Sequence, residues 1–209
     1  MKMKLFSKQK GFTLIEVLVV IFITAIISGI MVVGFRQGAK SNQLQRSAQI
    51  VIQNLRKVQN MALSSITFTN PSSGQKEVPA GGYAAEFNKG AGINTFYLYA
   101  DFNSNKSRNA GEDIEAVQLE SNIFFDAIYY LKEAQPPQSA NSTNIICSSP
   151  YASMEFQPPL PPADIVVITI KKSGATCSGN CKQGVTCSAD PDCKAIKIAK
   201  LTGQISLVK

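Results

Sequence analysis

Lys10-Gly11-Phe12-Thr13-Leu14-Ile15-Glu16-Val17-Leu18 runs into VVIFITAIISGIMVVGF, residues 19–35, and this stretch decides how the rest of the chain is read. Residues 17–35 are nineteen positions without a charge, about the length a helix needs to cross a hydrocarbon core of ~30 Å. Lys2, Lys4, Lys8 and Lys10 come before it with no acid among them, a bias that keeps this end on the cytoplasmic side. A secretory signal also places a basic region before an apolar one. Here, however, the run is longer than usual and no clean small-x-small cleavage site follows it. A plain single-pass anchor is the other ordinary reading. Neither accounts for Glu16. A carboxylate one turn inside an apolar segment costs roughly 2.5–3.5 kcal/mol on insertion scales, so it calls for a partner or a purpose.

The residues from Lys10 to Leu18 resemble the class III signal of type IV prepilins and type II secretion pseudopilins. The resemblance implies leader cleavage between Gly11 and Phe12 by a prepilin peptidase, N-methylation of Phe12, and an assembly role for Glu16. In that role Glu16 pairs with the new N-terminal amine of a neighbouring subunit. Electrostatics agrees, because cleavage creates a cation at the depth of a buried anion, and in a low dielectric the two favour each other. The implied fold is α+β, the pilin fold, with a long N-terminal helix packed against an antiparallel β-sheet head. The implied function is that of a structural subunit, a minor pilin or pseudopilin, rather than an enzyme. Its implied partners are other pilin or pseudopilin subunits, the peptidase, and the inner membrane before assembly. The chain would sit single-pass in the cytoplasmic membrane, head outside, and then join an extracytoplasmic filament. Type IV major pilins usually carry a proline in the second half of the helix. Residues 37–64 have none, which favours the pseudopilin and minor pilin side.

The expected segments are a leader at 1–11, a transmembrane or filament-core helix at 12–35, an amphipathic continuation at 36–65 and a β head at 66–209. Leu44, Ala48, Val51, Leu55, Val58 and Ala62 recur at spacings of four and three, one apolar stripe on a helix. Gln45, Arg46, Gln49, Gln53, Arg56, Lys57 and Asn60 occupy the other face. Beyond Pro71, β-like runs occur at 83–87, 95–100, 114–120, 123–131, 165–171, 195–201 and 204–208. Several alternate apolar and polar residues, as expected of a sheet with one buried face. Thr202-Gly203 makes the last pair a hairpin. Residues 134–163, rich in Pro, Ser and Asn, read as one long surface loop.

Asp101, Asn103, Asn105, Ser107, Asn109 and Glu112 stand at positions 1, 3, 5, 7, 9 and 12 of a twelve-residue loop. That is the EF-hand spacing for weak Ca²⁺ binding. The loop departs from the pattern at position 6, where Lys106 replaces glycine, and Lys106 and Arg108 offset its two carboxylates. The alternative is a polar hairpin turn without a metal, and with it a chain that carries no cofactor.

Cys147, Cys177, Cys181, Cys187 and Cys193 are read as disulfide-forming in an oxidising compartment. Their spacings do not suit zinc. Five cysteines allow fifteen two-bridge pairings, and Cys147, remote in sequence, is the natural one to leave free.

The chain has 209 residues, no histidine and a net charge of +7. Losing residues 1–11 removes four of the 21 basic groups and none of the 14 acids, leaving +3, too mild to imply nucleic-acid binding by itself. A DNA- or ligand-binding filament-tip subunit remains the alternative, resting on Lys194, Lys197, Lys200 and Lys209. Those lysines more simply mark an exposed edge strand. A membrane-anchored domain that never polymerises is a third reading. No constellation for nucleophilic or phosphate chemistry is present, so no catalytic residue is assigned.

Overall fold

The computed structural model describes residues 11–157 and 163–208, without the side chains of 30–41. The basic leader, with Lys2, Lys4, Lys8 and Lys10, lies outside the described residues, as does Lys209. The chain divides into two compact units, 1–40 and 41–209.

Helix α1 runs Leu14–Leu63. It starts where it does because Thr13 caps it. The Thr13 carbonyl accepts the amides of Glu16 and Val17 at 3.1 and 3.3 Å, and its hydroxyl also accepts the Glu16 amide at 3.3 Å. Thr13-Leu14-Ile15-Glu16 therefore has the T-x-x-E order of a capping box, with Glu16 at the third helical position. At the far end Ser65 takes a left-handed conformation, φ 47°. The amides of Ser65 and Ile66 then reach the carbonyls of Ala62 and Met61, both at 3.3 Å. These are the two bonds of a Schellman ending, which satisfy carbonyls the helix leaves over.

In the second unit the stripe of α1 is the spine of the core. Leu44, Ala48, Val51, Leu55, Val58 and Ala62 are no more than 1% exposed, and the polar face from Gln45 to Asn60 faces solvent or the periphery. Around the stripe lie β3 (Gly82–Asn88), β4 (Thr95–Asp101), β5 (Asp113–Gln118), β6 (Ile123–Leu131), β7 (Gln138–Ala140), β8 (Ser142–Ser148), β9 (Ser153–Gln157), β10 (Ile165–Lys172), β11 (Cys193–Ala199) and β12 (Ile205–Leu207). A two-stranded ribbon, β1 (Phe68–Thr69) with β2 (Lys76–Glu77), precedes them. The expectation of one sheet is corrected here, because the strands form two antiparallel five-stranded sheets. One has the order β12-β11-β10-β6-β7 and the other β5-β4-β3-β8-β9. Both point an inner face at the same core, Tyr83, Ala85 and Phe87 from one and Val166, Ile168 and Ile170 from the other. Phe87, Phe96 and Phe125 meet there as a stacked and edge-on trio.

Both sheets are completed by the stretch 134–163, so reading that stretch as one loop is also corrected. It carries β7, which joins the first sheet beside β6, and β8 and β9, which join the second. Strand β8 lies between β3 and β9 and buries Ile145, Ile146 and Cys147 in succession. Because both faces are covered, it lacks the alternation that marks a half-buried strand. Strand β11 is not an edge either. It pairs with β10 on one side and β12 on the other, because the short β12 folds back from a turn at Gly203. There the Gln59 side chain of α1 donates to the Gly203 carbonyl at 2.7 Å.

Candidate functional site

Three places carry the residues singled out above. The first is the start of α1. Gly11, Phe12 and Thr13 precede the helix, and Glu16 lies exposed in its first turn, where the amide ends of the helix favour an anion. Around it the apolar surface is bare: Phe12 is 81% exposed, Leu14 83%, and Val17, Leu18, Val19 and Val20 are each about half exposed. Four successive helical positions span every side of the cylinder, so this is an apolar surface all round rather than a stripe. The hydroxyls within it turn inward. Thr24 donates to the Ile21 carbonyl at 2.9 Å and Ser28 to the Thr24 carbonyl at 2.7 Å, leaving neither in need of water. Among the described residues no helix is long and apolar enough to cross a membrane. The run 17–35 passes beyond residue 29 into side chains outside the described residues.

The second place is the β4–β5 connection, 102–112, which folds over the outer face of the second sheet and covers Ala84, Tyr99 and Ile146, all 1% exposed or less. Each expected oxygen has a definite place. Asp101, at the end of β4, is fully buried and accepts the Lys106 amide at 2.8 Å. Asn103 and Asn105 each accept the amide two residues on, at 3.0 and 2.8 Å. Glu112, also buried, accepts the amide of Phe102 at 3.2 Å through one oxygen and that of Asn109 at 3.0 Å through the other. The Asn109 side chain donates to Glu112 and to the Ser107 carbonyl. Burial pushes the Asp101 carboxyl above its ordinary value, the Lys106 amide pulls it back, and Glu112 adds to the rise. Tyr99 is likewise pushed up, first by burial and then by Asp101, Glu86 and Glu112.

The two loop cations point away from these carboxylates. Lys106 pairs with Glu155 at 2.7 Å. Arg108 spans Glu86 at 2.7 Å and Asp113 at 2.6 Å while its guanidinium lies 3.7 Å over the Tyr97 ring. Lys106 itself adopts φ 62°, the conformation for which glycine is usual at that position. Among the described residues no three acidic, thiol or imidazole groups gather as a metal site.

The third place is the cysteine loop. Cys177 bonds Cys193 and Cys181 bonds Cys187, while Cys147 is free and buried. A short helix α2 (Gly179–Lys182), capped by Ser178, sets Cys181 in position. The Ser178 amide in turn donates to Asp190 at 3.0 Å. The four bridged sulfurs pack with Val167 and Ala195 on the outer face of the first sheet. Burial pushes the Cys147 thiol up to about 12. Lys194, Lys197 and Lys200 lie partly buried along β11 and its turn.

The capping order Thr13-x-x-Glu16 was a readable signal in the sequence that Glu16, expected there for assembly, also closes the first turn of α1. The covering role of 102–112 had no such signal.

Compared with known families, residues 6–32 match the prokaryotic N-terminal methylation motif. The chain thus carries the prepilin signal of type IV pilins and pseudopilins, which implies processing by a prepilin peptidase, membrane insertion and assembly with other pilins. No curated protein and no solved structure matches the chain.

Proposed function

We propose that the chain is a structural subunit of a type IV pilus or type II secretion pseudopilus. As a minor pilin or pseudopilin, it is held in the cytoplasmic membrane by the start of α1 until drawn into a filament. The observation that carries this reading is the apolar surface on every side of α1 next to a single carboxylate, Glu16. Water does not suit such a surface. Lipid before assembly and a bundle of like helices after it both would, and the internally bonded Thr24 and Ser28 fit either. Removal of the leader at Gly11 sets an amine on Phe12, four residues before Glu16. In a bundle that amine needs an anion at its own depth, and Glu16 of a neighbouring copy supplies one.

The test is co-expression with a prepilin peptidase and the filament machinery. The mature chain should lose eleven residues and begin with N-methyl-phenylalanine by mass spectrometry. Glu16→Val should still insert into the membrane. An uncompensated buried amine costs on the order of 3–5 kcal/mol, so its incorporation into filaments should fall below detection. Cleavage beyond residue 25, or undiminished incorporation of Glu16→Val, overturns the reading.

A further inference from the structure

We propose that Asn105 is an N-glycosylation site, the acceptor for an oligosaccharide carried on a polyprenyl diphosphate. The proposal rests on the reading of the chain as a membrane-inserted pilin subunit, because it needs a head that meets such a donor outside the cytoplasm.

N-linked transfer requires Asn-x-Ser or Asn-x-Thr, with x other than proline. Three tripeptides have this outline, Asn70-Pro71-Ser72, Asn105-Lys106-Ser107 and Asn141-Ser142-Thr143. Proline rules out the first. So short a pattern also arises by chance, and the fold has to choose between the other two.

Asn141 is exposed, but it is the one residue between β7 and β8. Its carbonyl accepts the Lys89 amide at 2.8 Å. Thr143, which a transferase has to read along with it, is 1% exposed. The Thr143 hydroxyl accepts from Tyr130 at 2.7 Å, and its backbone stands opposite Phe87 in the ladder. Reading this tripeptide means lifting β8 off β3.

Asn105-Lys106-Ser107 lies open. Asn105 and Ser107 are both exposed, in a loop that covers the outer face of the second sheet. Asn105 Oδ1 accepts the Ser107 amide at 2.8 Å, an Asx turn across the tripeptide. Lys106 makes the reversal with φ 62°, and its ammonium is held by Glu155 at 2.7 Å. The turn thus occupies the oxygen end of the carboxamide. Among the described residues Nδ2, the atom to be modified, has no partner, and neither has the Ser107 hydroxyl.

A carboxamide nitrogen is a weak nucleophile because its lone pair is shared with the carbonyl. A donor on Oδ1 draws charge towards oxygen and makes the Nδ2 proton easier to remove. In the transfer Nδ2 gives that proton to a base of the transferase and bonds to the anomeric carbon of the sugar. The bond from that carbon to the diphosphate oxygen breaks, and polyprenyl diphosphate leaves with the electron pair.

The test is glycopeptide mapping by mass spectrometry of filaments sheared from the cells that make them. Asn105 should carry an oligosaccharide and Asn141 none. Asn105→Gln and Ser107→Ala should each remove the glycan completely, and Ser107→Thr should keep or raise its occupancy. Asn141→Gln should change nothing. An unmodified Asn105, a glycan that survives Ser107→Ala, or equal occupancy at Asn141 overturns the proposal. The same spectra report the new N-terminus at Phe12, so a mature chain without a glycan defeats this proposal and leaves the pilin reading standing.

Discussion

Each five-stranded sheet has its outer face covered by a loop, and the two covers are fastened by different chemistry. Over β10 and β11, the segment 173–192 is held by Cys177–Cys193 and Cys181–Cys187, and its underside is sulfur, Val167 and Ala195. Over β3 and β4, the segment 102–112 is held by carboxylates on backbone amides and by three ion pairs from Lys106 and Arg108. The covalent cover buries no carboxylate of its own, and its one charge turned toward the sheet, Lys182, meets Asp126 of β6 at 3.5 Å. The ionic cover encloses Asp101 and Glu112, and burying a charge is costly unless it is paired. Its hold therefore depends on protons in a way the other does not.

The largest expected effect breaks the covalent cover. Cys193→Ser removes the bridge of separation 16, which in the chain-entropy model is worth about 3 kcal/mol, against about 2 kcal/mol for the bridge of separation 6 lost in Cys181→Ser. Denaturant titration of the oxidised chain should show both losses. Equal stability of the native chain and Cys193→Ser would mean that apolar packing alone holds this loop.

Next is a substitution aimed at the ionic cover. Gly81 donates its amide to the Asp101 carbonyl at 2.7 Å, and a Cβ there would run into the Asp101 carboxylate. Gly81→Ala should cost roughly 1–3 kcal/mol through overpacking and should leave the disulfide loop untouched. Disulfide mapping and amide exchange of 102–112 would separate the two regions. If protection of 102–112 stayed as in the native chain, the carboxylate would have room the structure does not give it.

The smallest effect sharpens the contrast by pH. Burial raises the Asp101 pKa above its unfolded value. The stability this group contributes is thus complete below the unfolded value, near 3.9, and is lost as pH rises through the higher folded value. The native chain should gain on Asp101→Asn as the solution is acidified from neutrality, read by Tm across that range. The stability cost of Cys193→Ser should stay level across the same range.

How much of this was legible follows from what each residue faces. The stripe Leu44 to Ala62 was readable because α1 has one wet side, and Ile123–Leu131 because its alternation survives as β6. Strand β8 was not, because Asn144, Ile146 and their neighbours lie under the 102–112 loop while Thr143, Ile145 and Cys147 face the core, so both sides are covered. The division into two sheets was not legible either, because nothing in their patterns shows that β3, β4 and β5 pair apart from β6, β10, β11 and β12. The polar positions of the 101–112 loop were legible from their spacing. Their surroundings were not, since the outlets for Lys106 and Arg108 come from Glu86, Asp113 and Glu155 on three different strands. The disulfide pairing was likewise open, since sequence spacing does not show that α2 turns Cys181 toward Cys187.

Cys147 sits on β8 with its thiol pushed up to about 12, so at pH 7 about one molecule in 10⁵ carries the thiolate at any moment. Exchange with a disulfide begins from thiolate, which makes this cysteine a spectator once the sheet has closed over it. The core serves as its protecting group. An odd number of cysteines is ordinarily a hazard for a chain oxidised outside the cytoplasm, because the spare one reshuffles the others. Here Cys147 is buried on β8 between β3 and β9, on the other sheet from the two bridges, so the folded chain offers them no exposed thiol.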